Sequence, residues 1–163
     1  MSQTSYNTDQ PVAFVGMKGD AIFDRVETGL VEDAAGINFG VFVKPGTNPA
    51  TQVAIITAAT AVQGITLHRH VEKALGTGLA LYSQNMAADI SRQGKVWMYE
   101  AAAGGTLSVG DPVYAMIDTA AQAGQATDAA GAANILVPTA IVRDESTDPD
   151  GVKIVLVEIN LPS

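Results

Sequence analysis

The chain has no cysteine. Disulfides, thiolate ligands and thiol nucleophiles are therefore excluded, and redox usage says nothing of its compartment. Charge is also scarce. Asp, Glu, Lys and Arg make up 16% of the 163 residues, against roughly 25% in ordinary soluble domains. What charge there is leans acidic: 9 Lys and Arg stand against 17 Asp and Glu, a net charge of −8. Nucleic acid is held by clustered cations that displace counterions from phosphates. The basic residues here are scattered, with no run of three, so nucleic-acid binding is not expected. Long apolar runs are missing too: none approaches the ~20 residues that cross a bilayer. The opening Met1-Ser2-Gln3-Thr4-Ser5-Tyr6-Asn7 lacks a basic segment followed by an apolar core, and does not read as a signal peptide. The expectation is a chain made and kept in a cytoplasm, with no membrane partner.

What is present is 47% hydrophobic residues, enough for one domain with a core of its own. Ala, Gly, Thr, Ser, Gln and Asn fill the places that charge would otherwise take. Such a neutral, small-featured surface fits packing against other proteins, and equally fits a quiet surface on a stable protein.

Residues 1–20 are predicted to form an extended N-terminal arm, polar at first and then broken by Pro11, Gly16 and Gly19. Val12, Phe14 and Met17 are its apolar side chains. They suit either an arm lying across a neighbouring subunit or the first edge strand of the chain's own domain. Residues 21–163 are predicted to form one β-rich domain of short strands separated by turns. Ile37, Phe39, Val41 and Val43 alternate as on a strand. Lys44 to Pro49, with two prolines and a glycine, is predicted as a loop. Val53–Thr57, Ala61–His68, Leu79–Tyr82, Pro112–Ile117 and Ile135–Val142 follow as strands. Gln93-Gly94 is predicted as the turn of a hairpin between Asp89–Arg92 and Lys95–Tyr99. On its second strand, Lys95, Trp97 and Tyr99 share one face, and Val96 and Met98 the other. In Val152–Ile159, Val152, Ile154 and Leu156 point one way, and Val155, Val157 and Ile159 the other. That pattern implies a central strand covered on both sides. Asp118 to Asn134, rich in Ala and Gly, is predicted as a long loop, with glycines at 124 and 131 weakening any short helix. Val71 to Leu75 could form a turn or two of helix. The fold class expected is all-β: a single-domain β-barrel or jelly-roll-like sandwich.

Few motifs carry chemistry. His68 and His70, at i and i+2 on a strand, would share a face and could begin a metal site. They are the only histidines, and a site needs further ligands with supporting partners. Glu72 or Asp89 would have to complete it, so surface or interface histidines are preferred. Asp144, Asp148 and Asp150 before Gly151 resemble part of a calcium loop, but lack its spacing and closing Glu. Asp150-Gly151 reads better as a turn into the last strand. Ser108 lies in no nucleophile elbow, and no phosphate-binding loop is present. Trp97 and Tyr99 could stack on a ligand, but with no basic groove beside them they read as packing or interface residues. No catalytic residue, metal or cofactor is assigned.

Four segments in order carry a family resemblance: Ala35-Gly36-Ile37-Asn38-Phe39-Gly40-Val41, Val62-Gln63-Gly64-Ile65-Thr66, Gly94-Lys95-Val96-Trp97-Met98 and Val109-Gly110-Asp111-Pro112-Val113-Tyr114. Together they resemble the structural cement (capsid decoration) proteins of tailed bacteriophages, over roughly Pro11 to Ile159. The Ala-rich segment 118–134 and the His68–His70 triplet do not map onto that family. The resemblance implies a non-enzymatic virion protein on the outer face of an icosahedral capsid. There it would bridge neighbouring major capsid subunits and hold the shell against the pressure of packaged DNA. It implies a homo-oligomer, with a trimer preferred slightly over a dimer. Val12, Phe14, Met17 and Phe23, with Trp97 and Tyr99, are the expected interface residues. Two rival readings remain: a small β-barrel enzyme or ligand-binding domain, and another virion part such as a tail or fibre-base component.

Overall fold

A computed structural model describes residues 13–20, 24–58, 61–69, 81–117, 120–131, 134–148 and 150–162. Among them the chain forms β1 (Arg25–Val31), β2 (Ile37–Asn38), β3 (Phe42–Pro45), β4 (Gln52–Ile55), β5 (Gly64–Thr66), β6 (Leu81–Tyr82), β7 (Ala87–Tyr99), β8 (Pro112–Ala115), β9 (Ala126–Thr127), β10 (Ile135–Thr147) and β11 (Lys153–Asn160). The only helical element among the described residues is one 3-10 turn, Ala120–Gln122. The fold is an all-β single domain with a β-barrel core.

The pairing closes on itself. Strands β1, β4, β3, β5 and β7 pair in that order, and β7 pairs back with β1. From β7 the sheet also runs on through β11, β10, β8 and β9. A bridge from Ala126 in β9 to Glu100, just past β7, brings this second run round as well. Two rings thus share one 13-residue strand. Closure removes the open strand edges that invite unwanted pairing.

The hairpin turn expected at Gln93-Gly94 is absent. Strand β7 is continuous there. Up to Gln93 it pairs with β1, and from Gln93 onward with β11. Gly94 has φ +129°, a conformation open to glycine and strained for other residues. Its role is to carry a long strand from one ring into the other.

The expected two-sided packing is present. Val96 and Met98 of β7 join Val155, Val157 and Ile159 of β11 in one core. Trp97 joins Ile154 and Leu156 in a second core on the opposite face, and Tyr99 packs against it. Each fully buried Val, Ile or Met contributes about 1.5–3 kcal/mol, so one strand pair anchors two cores. Val152 does not share in this: it lies outside β11 and is 45% exposed.

Other boundaries shift for local reasons. A turn at Phe39-Gly40 divides the expected strand into β2 and β3, yet its alternation holds: Ile37, Phe39, Val41 and Val43 enter one core and Phe42 the other. Pro45 ends β3 opposite Val53, which shortens the expected 44–49 loop. Strand β10 runs to Thr147, past the expected Val142, with irregular register against both β8 and β11. The Ala/Gly-rich segment contains the 3-10 turn and β9, with Ala123 and Ala126 buried. Gly124, at φ +78°, lies so close to β3 that a Cβ there would sit 2.7 Å from the Phe42 carbonyl oxygen. Val71 to Leu75 lies outside the described residues.

Two glycines offer a controlled test of this packing. Gly40 has φ +61°, and a Cβ there would meet Val15 at 2.5 Å and the Trp97 carbonyl oxygen at 2.7 Å. Gly110 has φ +96° with nothing within 4 Å. In urea denaturation, Gly110→Ala is expected to lose about 1–2 kcal/mol from backbone strain alone. Gly40→Ala should lose a further ~1–3 kcal/mol from overpacking. Equal losses would contradict the close approach at Gly40.

Candidate functional site

The described part of the N-terminal segment, 13–20, lies along β7. The Gly16 amide donates to the Trp97 carbonyl at 2.8 Å, the Trp97 amide to Met17 at 2.9 Å, and the Gly19 amide to Lys95 at 2.8 Å. Ala13 and Val15 are buried in the second core. This contact depends on Gly16, at φ +77°, where a Cβ would fall 2.6 Å from the His68 amide nitrogen. That amide donates to the Gly16 carbonyl at 2.8 Å.

Around this crossing lies an aromatic cluster. The His68 ring packs edge-on against Phe14 at 4.8 Å and Phe39 at 4.7 Å, and Phe39 packs against Tyr82 at 5.0 Å. The Tyr82 hydroxyl donates to the Leu67 carbonyl at 2.7 Å and accepts from the Asp89 amide at 3.3 Å. The cluster borders an open groove. Phe14, Met17, Val26 and Leu67 supply its apolar surface, and Lys18, Asp24 and Asp89 its charge. Lys18 pairs with Asp24, and Asp89 with Arg69 at 3.7 Å.

Phe14 and Met17, two of the six residues expected at an interface, therefore come together on this groove, both partly buried. Trp97 is only 4% exposed, so its ring works from within the core. Tyr99 is partly buried, and its hydroxyl donates to Asp148 at 3.1 Å. Val12 and Phe23 lie outside the described residues, as do His70 and Glu72.

The acidic loop behaves as a turn. Asp148 is 7% exposed. Its Oδ1 accepts from the Asp150 and Val152 amides at 3.0 and 2.8 Å, and Gly151 takes φ +83°. A side chain that caps its own turn is the usual work of Asp at such a position. Among the described residues no group of three His, Asp or Glu is placed to hold a metal. Ser108 lies in a turn capped by Asp111, whose carboxylate accepts from the Ser108 amide at 2.8 Å.

Comparison with known proteins decides the family. The profile described as "Structural cement protein (E217 gp24/Pam3 gp6)" matches residues 2–160. The chain belongs to the structural cement protein family. Its role is accordingly that of a structural protein that binds and stabilises a phage capsid. Among solved structures, a chain of "The capsid of Myoviridae Phage XM1" is similar, with a TM-score of 0.76 and 22% identity. The alignment covers 98% of this chain and 97% of that one, and it supports the fold. No curated protein matches.

A cement protein needs a body that does not yield, and two side-chain ties supply stiffness that sequence reasoning missed. Lys153 Nζ binds Glu100 at 3.0 Å, Glu145 at 3.2 Å and the Leu107 carbonyl at 2.7 Å. Burial works against the Lys153 charge, but the two carboxylates outweigh it and raise its pKa. Arg92 holds Glu27 at 3.0 Å and the Pro162 carbonyl at 2.7 Å, which ties β1 and the segment after β11 to β7. That hydrogen bond holds the Glu27 carboxyl below its ordinary range. These partners are far apart in sequence, and no local pattern announces them.

The Tyr99–Asp148 bond makes a pH prediction. Burial first, and then the bond to Asp148, pushes the Tyr99 hydroxyl from 10.0 up to about 12. The native state then holds this proton more tightly than the unfolded chain does. Its contribution is complete below pH 10 and is lost as pH rises toward 12. The thermal midpoint should fall across that window, and less steeply in Tyr99→Phe. Parallel slopes would contradict the assignment.

Proposed function

We propose that this cement protein sits on the outer surface of an icosahedral capsid. There, as a homo-oligomer, it bridges neighbouring major capsid subunits against the pressure of packaged DNA. The family match over residues 2–160 is the observation that carries this reading. A closed, doubly cored β body is suited to bearing load between neighbours, and the reading includes no enzymatic role.

Attachment is multivalent. Each contact is modest, and a symmetric oligomer that engages several subunits gains a large effective concentration. A trimer on local threefold positions is favoured over a dimer. The N-terminal arm, residues 1–20, reaches the neighbours. Within it, residues 13–20 lie along β7. Phe14 and Met17 supply apolar contacts at the groove, Tyr99 at its own position, and Val12 and Phe23 are proposed as further interface residues. Trp97 supports the surface from beneath.

Purified protein mixed with shells that lack it should bind to saturation at a fixed ratio per capsid subunit and raise the temperature at which the shells come apart. Removing residues 1–12 should weaken attachment by about tenfold or more while leaving the protein's own melting temperature nearly unchanged. Absence of saturable binding would remove the proposal. Equal loss of folding and attachment would remove the arm's part in it.

A further inference from the structure

The charges of this molecule are unevenly spent. Among the described residues every Lys and Arg except Lys44 is ion-paired with a carboxylate. Lys44 lies near Glu32 and Asp33. The other acids without a cationic partner among the described residues are Asp111, Asp128, Asp144, Asp148 and Asp150. All five belong to the second ring and its connections.

Three apolar side chains are exposed in the same region: Leu136 on strand β10, and Val109 and Val152 at the tips of turns. Val109 is 61% exposed and Val152 is 45% exposed. Both sit on turns whose backbone is already fixed. The Gly110 amide donates to Val142 at 2.9 Å, and the Val142 amide to Asp111 at 3.1 Å. The Asp148 amide donates to the Val152 carbonyl at 2.9 Å, while the Val152 amide donates to Asp148 Oδ1. Glu145 joins the two turns: it accepts from the Val109 amide at 3.3 Å and pairs with Lys153, next to Val152, at 3.2 Å. Tips held in this way lose little conformational freedom on docking. An apolar centre with charge around it is the anatomy of a specific protein contact.

We propose that this end of the second ring, with the tips Val109 and Val152, is the face that docks on the capsid, and that it takes a protein surface rich in Lys or Arg. The assignment deepens the capsid-binding reading and rests on it. The surplus of carboxylates selects the partner's sign, because opposed potentials steer association and fix register while like charges repel. The exposed valines supply the apolar contact that charge alone does not. Leu30, 44% exposed on β1 of the first ring, lies outside this face and serves as its control.

The test uses the full-length protein and shells lacking it, with binding measured by co-sedimentation across a salt series. Val109→Ser with Val152→Ser, and separately Asp144→Asn with Asp150→Asn, alter side chains exposed to solvent, and their melting temperatures should stay close to wild type. Each pair should weaken binding by roughly tenfold or more. The Asn pair should also flatten the salt dependence that wild type shows. Leu30→Ser should bind as wild type does. If both pairs bind as tightly as wild type with the same salt dependence, or if Leu30→Ser weakens binding as much, the face is wrongly assigned. Failure of wild type to bind at all would remove the capsid-binding reading and this assignment with it.

Discussion

Strand β7 is shared by two rings, and the rest of the molecule hangs on that sharing. Its first half is held by β1 and β5, and its second half by β11. Its side chains alternate between two cores, with Val96 and Met98 in one and Trp97 in the other. The N-terminal segment lies along it, and Arg92 on it ties in the end of the chain. A single glycine conformation at Gly94 lets one strand serve both rings.

This construction suits the work of a cement protein. On the proposed bridging role, such a protein must pass force between its contacts without deforming. Closed rings leave few strand edges to peel, and a shared strand passes strain from one core to the other through backbone hydrogen bonds. The ties at Lys153 and Arg92 act where loops would otherwise give way. Exposed ion pairs contribute little stability singly. Those at Lys153 matter because they meet a backbone carbonyl and Glu100, whose side chain is only 9% exposed.

Much of the body was legible in the sequence, for a simple reason. Where a strand is buried on both faces, its pattern is written in consecutive residues. Ile154 and Leu156 against Val155, Val157 and Ile159 declared a central strand, as did Trp97 against Val96 and Met98. Gly94 misled because Gln-Gly has the chemistry of a turn, and only long-range pairing with Ile159 shows that the strand continues. The 118–134 segment misled because Ala and Gly carry little pattern. Its order comes from Gly124 and Ala126 fitting against β3 and β8. Of the site, Phe14 and Met17 could be chosen from an apolar pattern in a polar segment. The crossing at Gly16 and Gly40 could not, because it joins residues far apart in sequence. The Lys153 cluster joins residues from three separate stretches, and nothing local points to it.

We propose that this two-ringed body works on the exterior of a capsid by holding neighbouring subunits together. An electron cryo-microscopy reconstruction of the intact particle tests it most directly. The expected result is density outside the shell, at a fixed symmetry position, into which both rings fit around a continuous β7 and from which contacts reach at least two shell subunits. Density for the chain inside the shell or on the tail, or an exterior without it, would contradict this role.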